Sequence, residues 1–124
     1  MEAAVANLLS SNDKALIVVG GSFGRRFSEL CDIHGVPHDD VIVPMGKTLI
    51  SEVLSDYDQG GYSALLVNIH ETSTGVLYDA EMLSVFARKK IACSLWTRSV
   101  LSWLILLTWP NWVLMYSFLA LRRH

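Results

Sequence analysis

Six consecutive residues, His70-Glu71-Thr72-Ser73-Thr74-Gly75, set an imidazole, a carboxylate and three hydroxyls side by side. They follow an apolar run at residues 64–67, and the end of a buried strand is a rigid mount for polar groups. Such a cluster can hydrogen-bond a polar ligand. It can equally be a solvated loop whose hydroxyls satisfy nearby main-chain groups. A second candidate is Gly21-Ser22-Phe23-Gly24-Arg25-Arg26, after another apolar run. Glycines permit a tight turn, and the first amides of a following helix can receive an anion. The alternative is a simple strand-to-helix turn whose Phe packs on the sheet. The stretch lacks the GxGxxG spacing of a dinucleotide site and the lysine of a P-loop.

Other reactive types read as structural. His34 and His38 fit a surface loop, and no His-x-x-His spacing suggests zinc. Cys31 fits the core face of a helix. With Cys93 it makes two cysteines, without metal-ligand spacing or a disulfide framework, so a reducing cytoplasm is the default compartment. No basic leader segment precedes Ala3-Ala4-Val5.

The elements that must carry both loops follow from periodicity. Residues 2–10 show a helical apolar face of Ala4, Val5, Leu8 and Leu9. Residues 15–19 are wholly apolar and branched, the pattern of a strand buried on both faces. Phe23, Phe27, Leu30 and Ile33 mark a helix stopped by Gly35 and Pro37. Residues 41–43 form a second strand, and Leu49, Val53 and Leu54 a helix of two turns. Residues 64–67 form a third strand. Asp79 is a candidate N-cap for a helix through Met82, Leu83, Val85 and Phe86, ending in Arg88-Lys89-Lys90. This αβαβαβα order predicts an α/β fold: a mainly parallel sheet between helices, with ligands at the carboxyl ends of the strands.

Composition divides the chain. All 12 acidic residues lie at or before Glu81, all 8 glycines at or before Gly75, and all 4 tryptophans at or after Trp96. Residues 1–90 carry 7 basic and 12 acidic groups, a net −5, whereas residues 91–124 carry three arginines and no acid. The whole-chain charge of −2 offers no electrostatic reason for a nucleic-acid partner. Two units are therefore expected, residues 1–90 and an apolar tail at 91–124. Within the tail, residues 99–121 are uncharged and long enough for a membrane-spanning helix.

The two loops, taken in order, resemble the class V aminotransferases. The residues that carry the likeness are Gly21-x-Phe23-Gly24-x-Arg26 and Asn68-x-His70-Glu71-Thr72-Ser73-Thr74-Gly75-Val76-Leu77. The Glu-Thr-Ser-Thr-Gly stretch is the specific part, and the likeness covers residues 1–90. It implies part of a three-layer α/β/α large domain that binds pyridoxal 5'-phosphate. The relatives meant are the 2-aminoethylphosphonate–pyruvate, alanine–glyoxylate and serine–pyruvate transaminases. The resemblance implies that Phe23 stacks on the pyridine ring and Thr72 hydrogen-bonds near its phenolic oxygen. It also implies that Glu71, Ser73 and Thr74 shape that loop, and Gly21, Gly24 and Arg26 the turn and its helix. A homodimer acting on an amino donor and a 2-oxo acid is the family's form.

The family's phosphate-binding loop precedes the first helix and is not found here. Nor are the aspartate that pairs with the pyridinium nitrogen and the Schiff-base lysine, since no Asp, Glu or Lys follows Lys90. This chain is therefore expected to be an incomplete, inactive portion. Read one base out of register, the tail's codons restore a different text. Trp96-Thr97 yields an aspartate, and the pair Arg122-Arg123 can yield a lysine within Ser-Gly-Ser-Gln-Lys-Ala. The tail is thus expected to be an out-of-frame apolar helix. The competing readings are a small membrane-tethered α/β binding module and a flavodoxin-like or other nucleotide-binding domain, for which residues 20–26 make a poor phosphate loop.

Overall fold

The computed structural model describes residues 2–57, 61–90, 93–97, 113–116 and 119–123. Four helices are described: α1 (Glu2–Leu8), α2 (Ser22–Ile33), α3 (Ser51–Ser55) and α4 (Ala80–Lys90). The strands are β1 (Ala15–Val19), β2 (His38–Ile42), β3 (Ala64–Asn68), β4 (His70–Glu71), β5 (Val76–Leu77), β6 (Cys93–Thr97), β7 (Val113–Tyr116) and β8 (Leu119–Arg123).

The main sheet has the order β2-β1-β3-β6-β8-β7. Its first four strands run parallel, with Ala15 opposite His38 on one side of β1 and Ala64 on the other. Ala64 in turn faces Cys93. β8 joins β6 antiparallel, and β7 joins β8. β4 and β5 form a separate hairpin at the carboxyl end of β3.

Both β1 and β3 are buried along their whole length, which is why neither alternates apolar with polar. Their side chains nevertheless alternate in direction. Ala15, Ile17, Val19, Ala64 and Leu66 pack with Val5, Phe27, Leu30, Cys31 and Val36, from α1, α2 and the turn after α2. Leu16, Val18, Leu65 and Val67 pack with Leu49, Leu54, Tyr62, Leu83 and Ala87 on the opposite face. Two apolar layers on one sheet give the three-layer α/β architecture that the element order predicts. Each fully buried Leu, Ile or Phe contributes roughly 1.5–3 kcal/mol, so these two layers dominate the fold's stability.

Asp79 caps α4 as expected, its Oδ1 accepting the Glu81 and Met82 amides at 3.0 and 3.1 Å. α2 ends at Ile33, and Gly35 in the turn that follows has a φ of +67°, which suits a residue without Cβ.

Several expectations are corrected. β2 begins at His38, ahead of the anticipated residues 41–43, because β1 supplies main-chain partners for its polar first half. His38 is accordingly no surface-loop residue. Its side chain is 14% exposed, with Nδ1 3.1 Å from the Val36 carbonyl and Nε2 3.1 Å from Ser28 Oγ. α3 is five residues, shorter than two turns, and Leu49 packs from the loop before it. On α2, Ile33 is 65% exposed, and the buried face is Gly24, Phe27, Leu30 and Cys31.

The apolar helix expected over 99–121 falls largely outside the described residues. Where that span is described, Val113–Tyr116 and Leu119–Arg123 are strands rather than helix. Open main-chain groups along β6 offer β8 a ladder of five paired positions, and an apolar run takes either form according to such partners. Among the described residues no helix is long and apolar enough to cross a membrane.

Candidate active site

The site begins with two loops at the carboxyl ends of neighbouring parallel strands. β1 ends at Val19 and the chain turns through Gly20-Gly21 into α2. β3 ends at Asn68 and runs through His70 and Glu71 into the β4–β5 hairpin. Asn68 tightens the second turn by donating from Nδ2 to the His70 carbonyl at 2.8 Å.

One side chain joins the loops. Glu71 is 1% exposed, and its two carboxylate oxygens accept the first-turn amides of α2. Phe23 N–H donates to Oε1 at 3.1 Å, and Gly24 N–H to Oε2 at 3.2 Å. Ser73 Oγ donates to Oε1 at 3.0 Å and itself accepts the Ser22 amide at 3.3 Å. Arg25 N–H makes the first bond internal to the helix, to the Gly21 carbonyl at 3.1 Å. Three first-turn donors of α2 are thus satisfied by residues 47 to 51 positions away, and Gly21 contributes no side-chain cap. The anion at this helix end is the protein's own carboxylate, favoured there by the helix dipole.

The glycines are explained by the same close packing. A Cβ on Gly21 would stand 2.6 Å from Ser73 Oγ and against the Glu71 side chain. A Cβ on Gly24 would overlap the Val18 carbonyl oxygen, where α2 crosses the β1 backbone. A Cβ on Gly20 would overlap the Tyr78 hydroxyl.

Around this clamp the remaining residues divide by exposure. Phe23 is 41% exposed, an aromatic ring left open to solvent at the sheet's carboxyl end. Thr72 and Ser73 are exposed, and Thr74 is half-buried with its hydroxyl on the Glu71 carbonyl at 3.3 Å. Arg26 lies on the solvent side of α2, where its guanidinium meets Glu29 at 3.3 Å. The structure therefore brings Gly21, Phe23, Gly24, Glu71 and Ser73 together, with Thr72 and Thr74 in the same hairpin turn, and leaves Arg26 beside Glu29.

Two participants escape a reading by residue type. Gly20, which stands just before the candidate turn, makes room for Tyr78. Tyr78 is 3% exposed, and its hydroxyl meets no hydrogen-bond partner among the described residues. Burial, reinforced by the negative charge of Glu71, raises its pKa above the ordinary phenol value. Among the described residues no group of three or more His, Cys, Asp or Glu side chains is placed to hold a metal ion.

No family model matches the chain. Among curated proteins it is 35% identical over 88 residues to a protein of Synechococcus named as the small subunit of a soluble hydrogenase. It is 32% identical over 82 residues to the L-aspartate–glyoxylate aminotransferase of Paracoccus denitrificans. These matches take in 68% and 63% of this chain but only 23% and 21% of the relatives, so the chain spans less than a quarter of their length. Among solved structures, an aspartate aminotransferase of Thermus thermophilus matches with a TM-score of 0.65 at 26% identity, over 77% of this chain and 34% of its own. The alanine–glyoxylate aminotransferase of a Nostoc species shares the fold, with a TM-score of 0.63 at 21% identity over 78% and 32%. The names of the two curated relatives point to different chemistries, and the two solved structures carry aminotransferase names, as the second relative does. The described architecture, with its two loops at the strand ends, fits a fragment of a class V aminotransferase.

Proposed function

We propose that the described residues form one wall of a pyridoxal 5'-phosphate site in a transaminase. The observation that carries this reading is the exposed Phe23 ring, held beside the Thr72-Ser73 turn by the Glu71 carboxylate. An exposed aromatic ring next to a hydroxyl-bearing turn suits a flat heteroaromatic ring with polar substituents. Bound there, the cofactor supplies the electron-withdrawing ring on which transamination depends. Phe23 stacks on that ring, Thr72 donates near its phenolic oxygen, and Ser73 and Thr74 hold the turn in shape. Gly21 and Gly24 let the α2 backbone approach. Arg26 serves the wall indirectly, through its helix.

The amino acceptor is a small 2-oxo acid, pyruvate or glyoxylate, in keeping with the glyoxylate-using relative and neighbour named above. The donor proposed first is 2-aminoethylphosphonate, with alanine close behind. A homodimer is the proposed assembly. Residues 91–124 contain no lysine, so the wall formed here holds the cofactor through stacking and hydrogen bonds. We further propose that residues 91–124 are read out of frame, which resequencing across codons 85–100 checks directly.

Fluorescence titration with pyridoxamine 5'-phosphate tests the site. Saturable binding is expected, weakened roughly threefold to tenfold by Phe23→Ala, the worth of one aromatic stack. Absence of saturable binding by the intact chain overturns the reading.

A further inference from the structure

We infer that Glu71 is a positioning residue: it acts on the ligand face by fixing the Phe23 backbone, and touches no ligand itself. The inference deepens the cofactor reading above and rests on it for the identity of the ligand alone.

Three observations carry it. The carboxylate is buried to 1% exposure, so it presents no surface to a ligand. Both of its oxygens are engaged, by the Phe23 amide, the Gly24 amide and the Ser73 hydroxyl. The space around it is closed, because Gly21 has no room for a Cβ against the Glu71 side chain. The Phe23 amide that Glu71 holds and the Phe23 ring that faces solvent belong to one residue. Fixing the amide restricts the ring to the few directions its rotamers permit. Thr72 and Ser73 directly follow Glu71 in sequence, so the aromatic wall and the hydroxyl turn share one anchor. A preorganised wall of this kind spares the ordering cost that binding otherwise carries.

Charge and length are both required. In Glu71→Gln one acceptor becomes an amide donor that faces a main-chain N–H. In Glu71→Asp the carboxylate keeps its charge but loses one methylene of reach.

The test uses the whole chain and two readouts. Amide hydrogen exchange followed by NMR reports Ser22, Phe23 and Gly24 individually, with the amides of β1 and β3 as internal controls. Pyridoxamine 5'-phosphate titration reports the ligand face. In Glu71→Gln, exchange at Phe23 and Gly24 is expected to quicken roughly tenfold, the worth of one charge-assisted hydrogen bond. The β1 and β3 amides should keep their protection, and probe affinity should fall by a similar factor. That loss should largely vanish when Phe23 is already alanine. Ser73→Ala, which leaves the carboxylate in place, should loosen Ser22 most and serves if Glu71→Gln does not fold.

Unchanged exchange at Phe23 and Gly24 in Glu71→Gln, or at Ser22 in Ser73→Ala, overturns the inference. So does a loss of probe affinity in Glu71→Gln that persists in the Phe23→Ala background, since Glu71 would then touch the ligand itself. If the wild-type chain takes no probe, the cofactor reading fails, while the exchange data alone still decide whether Glu71 fixes Phe23.

Discussion

Tyr78 shows how closely single residues are fitted around the strand ends. Its hydroxyl is enclosed beside Gly20 and has no hydrogen-bond partner among the described residues. An enclosed, unsatisfied hydroxyl carries a desolvation cost on the order of 1–3 kcal/mol. Tyr78→Phe removes that group without emptying the ring's place. It is expected to raise stability by about 1 kcal/mol, read from the urea midpoint at an unchanged slope. Gly20→Ala should lower the midpoint, because its Cβ meets that same hydroxyl. Combining the two changes should recover part of the loss, a coupling between neighbours that a double-mutant cycle measures.

Elements are set by the partners their main chains find. The clearest is α4, whose first turn depends on one carboxylate, Asp79, taking two amides. Asp79→Ala is expected to cost about 1 kcal/mol, or about 4–8 °C in melting temperature for a small domain, measurable by circular dichroism. β1, β3 and α2 could be read from periodicity because burial on both strand faces, and on one helix face, leaves an apolar signature. β2 could not be read in full. Its opening residues, His38-Asp39-Asp40, are those of an edge, and polar side chains there resemble a loop. The apolar tail reads as a helix, yet its described segments are strands: β8 pairs with β6 and β7 with β8, and such partners leave no mark in the tail's own composition. Within the site, the hydroxyl-rich turn and the glycine turn were both legible. Their joining was not, because Glu71 is met by main-chain amides, which every residue carries and no sequence distinguishes.

Across the molecule, burial governs reactivity as well as stability. Cys31 lies fully enclosed among Phe27, Leu30 and Val36. Burial first, then the nearby charges of Asp32 and Asp40, push its thiol up to about 11 from the ordinary 9.0. A thiol pKa raised on folding favours the protonated form. Its contribution to stability is complete below pH 9.0 and is lost as pH rises through about 11. Denaturant midpoints should therefore decline across that interval, and less steeply in Cys31→Ala. At neutral pH, iodoacetamide should leave the peptide containing Cys31 unmodified until the fold is opened, which mass spectrometry detects.

β2 also forms a rim of the sheet, with main-chain groups on its outer side that another extended peptide could pair with. Asp39 stands on that rim, 3.1 Å from Lys14 Nζ and 2.5 Å from the Tyr62 hydroxyl. The Tyr62 hydrogen bond first, then Lys14, hold its carboxyl below the usual range, so its charge survives into more acidic solution than an isolated aspartate's would. The colloidal consequence is a border where an incoming strand must first strip water from the Lys14–Asp39 ion pair, a hindrance that outlasts mild acidification.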